Sequence, residues 1–164
     1  MVQVRVVGVA LDSGAQHLIL LKPIVEGPGP GGILPIWIGP QEATSIVIAV
    51  EGAEAPRPLA HDLMKTLLEA VDASVVRVDV TKIEEGTFYA EISLRTRQGL
   101  RILDSRPSDA LALAARVDAP IWVADEVLDE AGIVEEIDET PNEEAKVAEF
   151  KRFLDEVDPD DFQG

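Results

Sequence analysis

The sequence predicts an α+β domain: a mixed, mostly antiparallel β-sheet packed with helices, followed by an acidic C-terminal helical tail. Three observations carry this. Apolar and polar residues alternate over several short stretches, and three such stretches run consecutively through residues 74–104 with no helix between them. Elsewhere, strand-like stretches are separated by segments whose apolar residues recur at helical spacing. Charge is also unevenly placed. Residues 125–164 hold 16 acids and 3 bases (net −13), whereas residues 1–124 hold 15 acids and 11 bases (net −4), together the −17 of the chain.

Each element has its own signal. Residues 2–11 and 17–25 are apolar and β-branched, and the turn-forming DSGAQ between them makes a hairpin. EGPGPGG, 26–32, is a loop; no Gly-Lys-Ser/Thr follows to make it a phosphate cradle. ILPIWIG, 33–39, is a short buried strand, and 40–53 begins with Pro40 and Glu42 as helices do. Residues 57–72 form the clearest helix: Leu59, Leu63, Leu67 and Val71 recur every four positions, widened by Met64 and Leu68 into the stripe that a helix turns to a core. His61, Lys65 and Glu69 fall on another face. Residues 74–83, 87–97 and 99–104 are strands, 107–117 a helix with Leu111, Leu113 and Val117 as its buried side, 120–124 a strand, and DEVLDEAG a short helical segment. Residues 135–142 make an acidic linker; in 143–157, Val147, Phe150, Phe153 or Leu154, and Val157 mark an amphipathic helix for the body, another copy or a protein partner. The expected division is therefore a domain over 1–134 and a tail over 135–164.

At 164 residues, 46% hydrophobic and 27% charged, the chain suffices for one packed domain. It has no cysteine, which excludes disulfides and thiolate metal sites and suits a cytoplasmic location. The N-terminus alternates like a strand and has no signal-peptide pattern, and no run is long enough for a membrane helix. The mildly acidic body argues against tight non-specific binding of nucleic acid by charge alone.

Four motifs, LPIWIGPQEA, RPLAHDLM, EGTFYAEI and SRPSDALALAARVDAPIWV, occur in an order that resembles the bifunctional nuclease family, a bacterial and plant domain formerly of unknown function. The resemblance covers residues 2–134. This chain has Ala60 where the family commonly has Thr before His-Asp. The resemblance implies an α+β domain that cleaves DNA and RNA and self-associates as a homodimer or larger homo-oligomer, with nucleic acid as substrate and no membrane partner.

Such chemistry needs an activated water and stabilisation of charge on the phosphoryl group, supplied by carboxylates holding a divalent ion, with Lys, Arg or His assisting. No His-x-Lys or His-Asn-His cluster is present, and there are only two histidines. Asp79 and Glu91 are spaced like the acids of some restriction-type nucleases, but Ser93 stands where a Lys would be wanted. His61 and Asp62 come first among the candidates: His61 as general base or ligand and Asp62 as metal ligand, or else a pair on a helix surface with Asp62 favourable to the dipole. His17 begins a strand at the surface. Second comes the cluster Asp104, Ser105, Arg106, Ser108 and Asp109. With Pro107 first in the helix, Ser108 and Asp109 can accept first-turn amide hydrogens, and Arg106 can pair with Asp109 or Asp104. A helix start beside an arginine can also hold phosphate.

The expected catalytic set is thus His61, Asp62, Asp104 and Asp109, with Asp62 and Asp109 as ligands of Mg²⁺ or Mn²⁺ and no organic cofactor. Arg57, Arg95, Arg97, Arg101, Arg106 and Ser108 are the expected substrate-binding residues, the arginines at 95–106 forming the best basic patch. Glu42, Glu85 and Glu91 rank lower, and Trp37, Trp122, Phe88 and Tyr89 are expected in core or interface. The alternative function is a non-catalytic, self-associating regulatory domain; a third is a site for a small anion at a helix start.

Overall fold

β1 (Val2–Leu11) and β2 (His17–Pro23) form the expected hairpin, with a bulge between Val6 and Gly8 that keeps Val4, Ile19 and Leu21 in the core. β3 (Leu34–Trp37) pairs antiparallel with β2. A second antiparallel set, β4 (Ser74–Glu84), β5 (Thr87–Thr96) and β6 (Gly99–Ser105), follows later in the chain. β7 (Ile121–Val123) joins the two sets, antiparallel to β1 and parallel to β4. In this computed structural model, which describes residues 1–25 and 32–133, the result is one seven-stranded mixed sheet of order β3-β2-β1-β7-β4-β5-β6. The proposed tail and most of the 26–32 loop lie outside the described residues.

Among the described residues, four helices pack with this sheet: α1 (Pro40–Glu51), α2 (Ala60–Ala70), α3 (Pro107–Val117) and α4 (Asp125–Ala131). α1 starts at Pro40, whose missing N–H and fixed φ suit the first helical position, and stops at Gly52, which takes the left-handed conformation (φ 66°). α3 is central. It touches α1, α2, β4 and β5, and Ala110, Leu111, Ala112, Leu113 and Ala114 are all buried. The alanines let α1 and α2 approach it closely, while Leu111 and Leu113 join Val78, Val80, Ile92 and Val123 in the main core. α4 adds Val127 and Leu128 to the same core.

Two expectations require correction. The 57–72 helix begins at Ala60, because Asp62 Oδ2 accepts the Leu59 N–H at 2.8 Å and fixes the first turn there, leaving Arg57 and Pro58 outside. Its apolar stripe does not face the core. Leu63, Leu67 and Val71 are more than half exposed (51, 57 and 65%), and among the residues of α2 only His61 is buried. Leu68 alone of the stripe packs against the core, and the helix otherwise docks by His61 and Asp62, for reasons that lie in the site.

Candidate active site

α2 and α3 meet through charges. Arg116, in the last turn of α3 with a side chain only 5% exposed, donates from Nε to Asp62 Oδ1 (2.7 Å), from Nη1 to the Ala112 carbonyl (2.9 Å) and from Nη2 to Ser45 Oγ of α1 (3.0 Å). Ser45 Oγ lies 2.7 Å from His61 Nδ1, and His61 Nε2 lies 2.9 Å from Asp109 Oδ1. A carboxylate only accepts, so Nε2 carries the proton toward Asp109; Ser45 takes the Arg116 proton and gives its own to Nδ1. This tautomer satisfies every member of the chain, and no buried side-chain polar atom among the described residues lacks a partner. The network is why α2 turns its polar side inward: Asp62 and His61 lead to partners on α3 and α1.

The chain continues to the surface. Arg106, the N-cap residue of α3, grips Asp109 with Nε and Nη2 (2.8 and 3.1 Å) and reaches Glu42 Oε1 with Nη2 (3.1 Å). Glu42 folds back over Gly39 so closely that a Cβ there would lie 2.3 Å from its carboxylate; the glycine makes this geometry possible. Arg106 remains 65% exposed, and its Nη1 makes none of these bonds.

The electrostatics follow the contacts. Burial works to raise the pKa of Asp109, but hydrogen bonds from Arg106 and His61 outweigh it and hold the carboxyl below 3.8. The Arg116 hydrogen bond, helped by the Leu59 amide, likewise lowers Asp62. Asp109, and then Glu42, raise Arg106 further above its usual value.

Beside Arg106 lies an open cleft of ≈ 660 Å³, lined among others by Trp37, Gly39, Phe88, Arg106, Pro107 and Ser108. Both α1 and α3 begin at this cleft with Pro40 and Pro107, and neither has a side-chain cap, so their first-turn amides are uncapped. Trp37 is half exposed rather than buried in a core, and its indole N–H donates to Asp12 Oδ2 at 2.9 Å. That bond, ahead of the Gln16 amide, depresses the Asp12 carboxyl. His17 also lines the cleft.

The expected residues therefore separate. His61, Asp62, Asp109, Arg106 and Ser108 lie in the network or the cleft, with His61 buried (6%) instead of forming a surface pair. The expected side-chain cap of α3 is absent, since Asp109 is committed to Arg106 and His61, and Arg106 chooses Asp109 and Glu42 over Asp104. Asp104 stands opposite Glu91 on exposed β6, where its charge acts on Lys82; none of the described bonds ties it to the network. Asp79 is ion-paired with Arg77, which also stacks over Trp122. The arginines do not form one patch. Arg95 pairs in register with Leu100 and Arg101 with Leu94, so their side chains project to opposite faces. Arg97 is bound to Asp72 at the end of α2, Arg57 precedes α2 exposed, and Arg106 lies at the far end of β6, about 20 Å along the strand from its turn. Ser45 and Arg116 were missed. The signal was a serine just before the apolar run 46–50 of α1, and an arginine seven positions after Asp109, hence on the same face of α3.

The fit to a divalent metal is poor. Both oxygens of Asp62 and both of Asp109 already accept hydrogen bonds, chiefly from arginines. Among the described residues no group of three or more His, Asp or Glu is arranged to hold a metal.

Comparison with known proteins places this geometry in a family. Residues 24–136 match the family model for the bifunctional nuclease domain. An uncharacterized protein of Mycobacterium tuberculosis is 40% identical over 166 residues, covering 98% of both chains. Bifunctional nuclease 1 of Oryza sativa subsp. japonica is 28% identical over 115 residues, 68% of this chain and 34% of the relative. Bifunctional nuclease 2 of Arabidopsis thaliana is 26% identical over 116 residues, 69% of this chain and 35% of the relative, so this chain spans about a third of each plant protein's length. The two proline-started helices, the charged network behind them and all of the cleft lining except Ala15, Gln16 and His17 fall within the matched segment, and the chain belongs to the bifunctional nuclease domain family.

Proposed function

We propose that this protein hydrolyses phosphodiester bonds in DNA, RNA or both, and that the phosphate is received at the cleft beside Arg106. One observation carries the placement: the starts of α1 and α3, neither with a side-chain cap, and Arg106 line one cleft together with Trp37 and Phe88. Uncapped first-turn amides and a guanidinium are complementary to a phosphate, and an exposed indole offers a surface for a base. Asp109 and Glu42 hold the guanidinium in place. His61 and Ser45 hold Asp109, and Arg116 and Asp62 anchor that chain to α2 and α3. A carboxylate held below 3.8 by an arginine is a weak base at neutral pH, so Asp109 is assigned to positioning.

The test is cleavage of plasmid and of RNA by highly purified protein with Mg²⁺, with Mn²⁺ and with EDTA, comparing wild type with Arg106→Ala. Activity that co-elutes with the protein and falls at least tenfold in the variant supports the assignment. Activity that leaves the protein peak, or is untouched by the substitution, overturns it. The absence of any co-eluting cleavage would select a non-catalytic regulatory domain instead.

A further inference from the structure

α2 is inside out. His61 and Asp62 are committed to α1 and α3, and Leu63, Met64, Leu67 and Val71, 38–65% exposed, form a continuous stripe at i, i+1, i+4 and i+8. Isolated exposed leucines need no explanation, but a stripe of four along a helix that is polar on its inner side marks a contact surface. We propose that this stripe is covered in cis by residues 143–157 of the same chain.

Three observations select that occupant. The first is pattern: Val147, Phe150, Phe153, Leu154 and Val157 recur at three- and four-residue intervals, the complement a helical stripe requires. The second is reach. The described chain ends at Ile133, and the ten residues to 143 extend up to about 33 Å. A domain of this size has a radius of gyration of about 14 Å, so the segment can reach most of its surface. The third is charge. The C-terminal end of α2 abuts the β5–β6 turn, because Arg97 pairs with Asp72, and the same hairpin end carries Arg101 on the face of buried Leu94. The proposed segment is followed by Asp158, Asp160 and Asp161. Laid along α2 in the same direction, it brings those acids to these arginines, away from Arg106 and the cleft. The proposal is independent of whether the cleft cleaves phosphodiesters.

The chain has no cysteine, which makes the test clean. In full-length protein, Leu67→Cys is combined with Phe150→Cys or, separately, with Phe153→Cys; all three changes avoid the described core, so circular dichroism should match wild type. Mild oxidation is expected to give an intramolecular disulfide in at least one pair, read as a monomer by non-reducing gel and mass spectrometry. In Leu67→Cys alone, the thiol should react with a maleimide at least tenfold faster once Phe150→Asp and Phe153→Asp are added. Disulfide dimers joining 67 to 67 would show that a second copy covers the stripe, and dimers joining 67 to 150 or 153 that the segment acts in trans. Either overturns the proposal, as does a thiol equally reactive with and without the aspartates.

Discussion

Replacing Arg116 with Met tests whether the charged network, rather than apolar packing, fastens α2 to the body. Met keeps much of the stem volume and removes the donors to Asp62, Ala112 and Ser45. A hydrogen bond to a charged group contributes about 1.5–3 kcal/mol, but the losses do not simply add. Ala112 keeps its helical bond, Ser45 keeps His61, and the Asp62 side chain is 38% exposed and can rehydrate. Relief from desolvating the guanidinium offsets a further part. A net loss of about 2 kcal/mol at pH 7 follows, or a Tm lower by about 6 °C for a domain of this length. Urea unfolding followed by circular dichroism measures it. Asp62→Asn and the double variant complete a cycle in which the coupling should reach about 1 kcal/mol. A variant within about 0.5 kcal/mol of wild type, or strict additivity, would show that the pair does not hold α2 and that the account of the inverted helix is wrong.

The other predictions concern the same surroundings. His61→Leu leaves Asp109 and Ser45 each short of one bond and should cost about 1–2 kcal/mol in urea unfolding; a neutral result would fit a solvent-exposed histidine instead. Asp62 and Asp109 titrate below 3.8 in the folded protein, so they contribute stability above that pH that is lost as pH falls through their folded values; urea midpoints between pH 6 and 2.5 should decline most steeply there, and a flat profile would contradict the depressed values. In Arg106→Ala the burial of Asp109 persists without its principal counter-charge, so carboxyl-resolved NMR should find its pKa higher than in wild type; no movement would dissociate the two groups. Trp37→Phe should raise the Asp12 pKa toward 3.8 with the fold unchanged, and an unshifted titration would mean that the indole bond does not form in solution.

What could be read from the sequence divides by range. Local signals were sufficient for α3, where Pro107 opens a helix that ends at Val117 as expected, and for the three-strand run, whose turns and alternation are written in adjacent residues. The orientation of α2 was illegible, because the stripe rule assumes that a helix buries its apolar side and nothing near residue 60 announces an arginine at 116. The site failed in a parallel way. The Arg106–Asp109 pair is three residues apart and was anticipated, whereas the links from Asp109 to His61 and from His61 to Ser45 cross 48 and 16 positions and depend on how three helices are stacked. The basic patch failed for a different reason: neighbouring arginines on paired strands share a surface only if register and alternation agree, and here they put Arg95 and Arg101 on opposite faces.

The place of β7 has a consequence for synthesis on the ribosome. Among the described residues this three-residue strand is the only link in the sheet between β1–β2–β3 and β4–β5–β6, pairing with Val2–Val4 on one side and Val78–Val80 on the other. Until residue 123 has emerged, a nascent chain can form two separate three-stranded sheets but cannot fuse them, and the flanks of β1 and β4 stay open edges. Completion is thus deferred to contacts more than a hundred residues apart in the chain, which makes joining the two halves the slow, concentration-sensitive stage at which truncated or stalled products would aggregate.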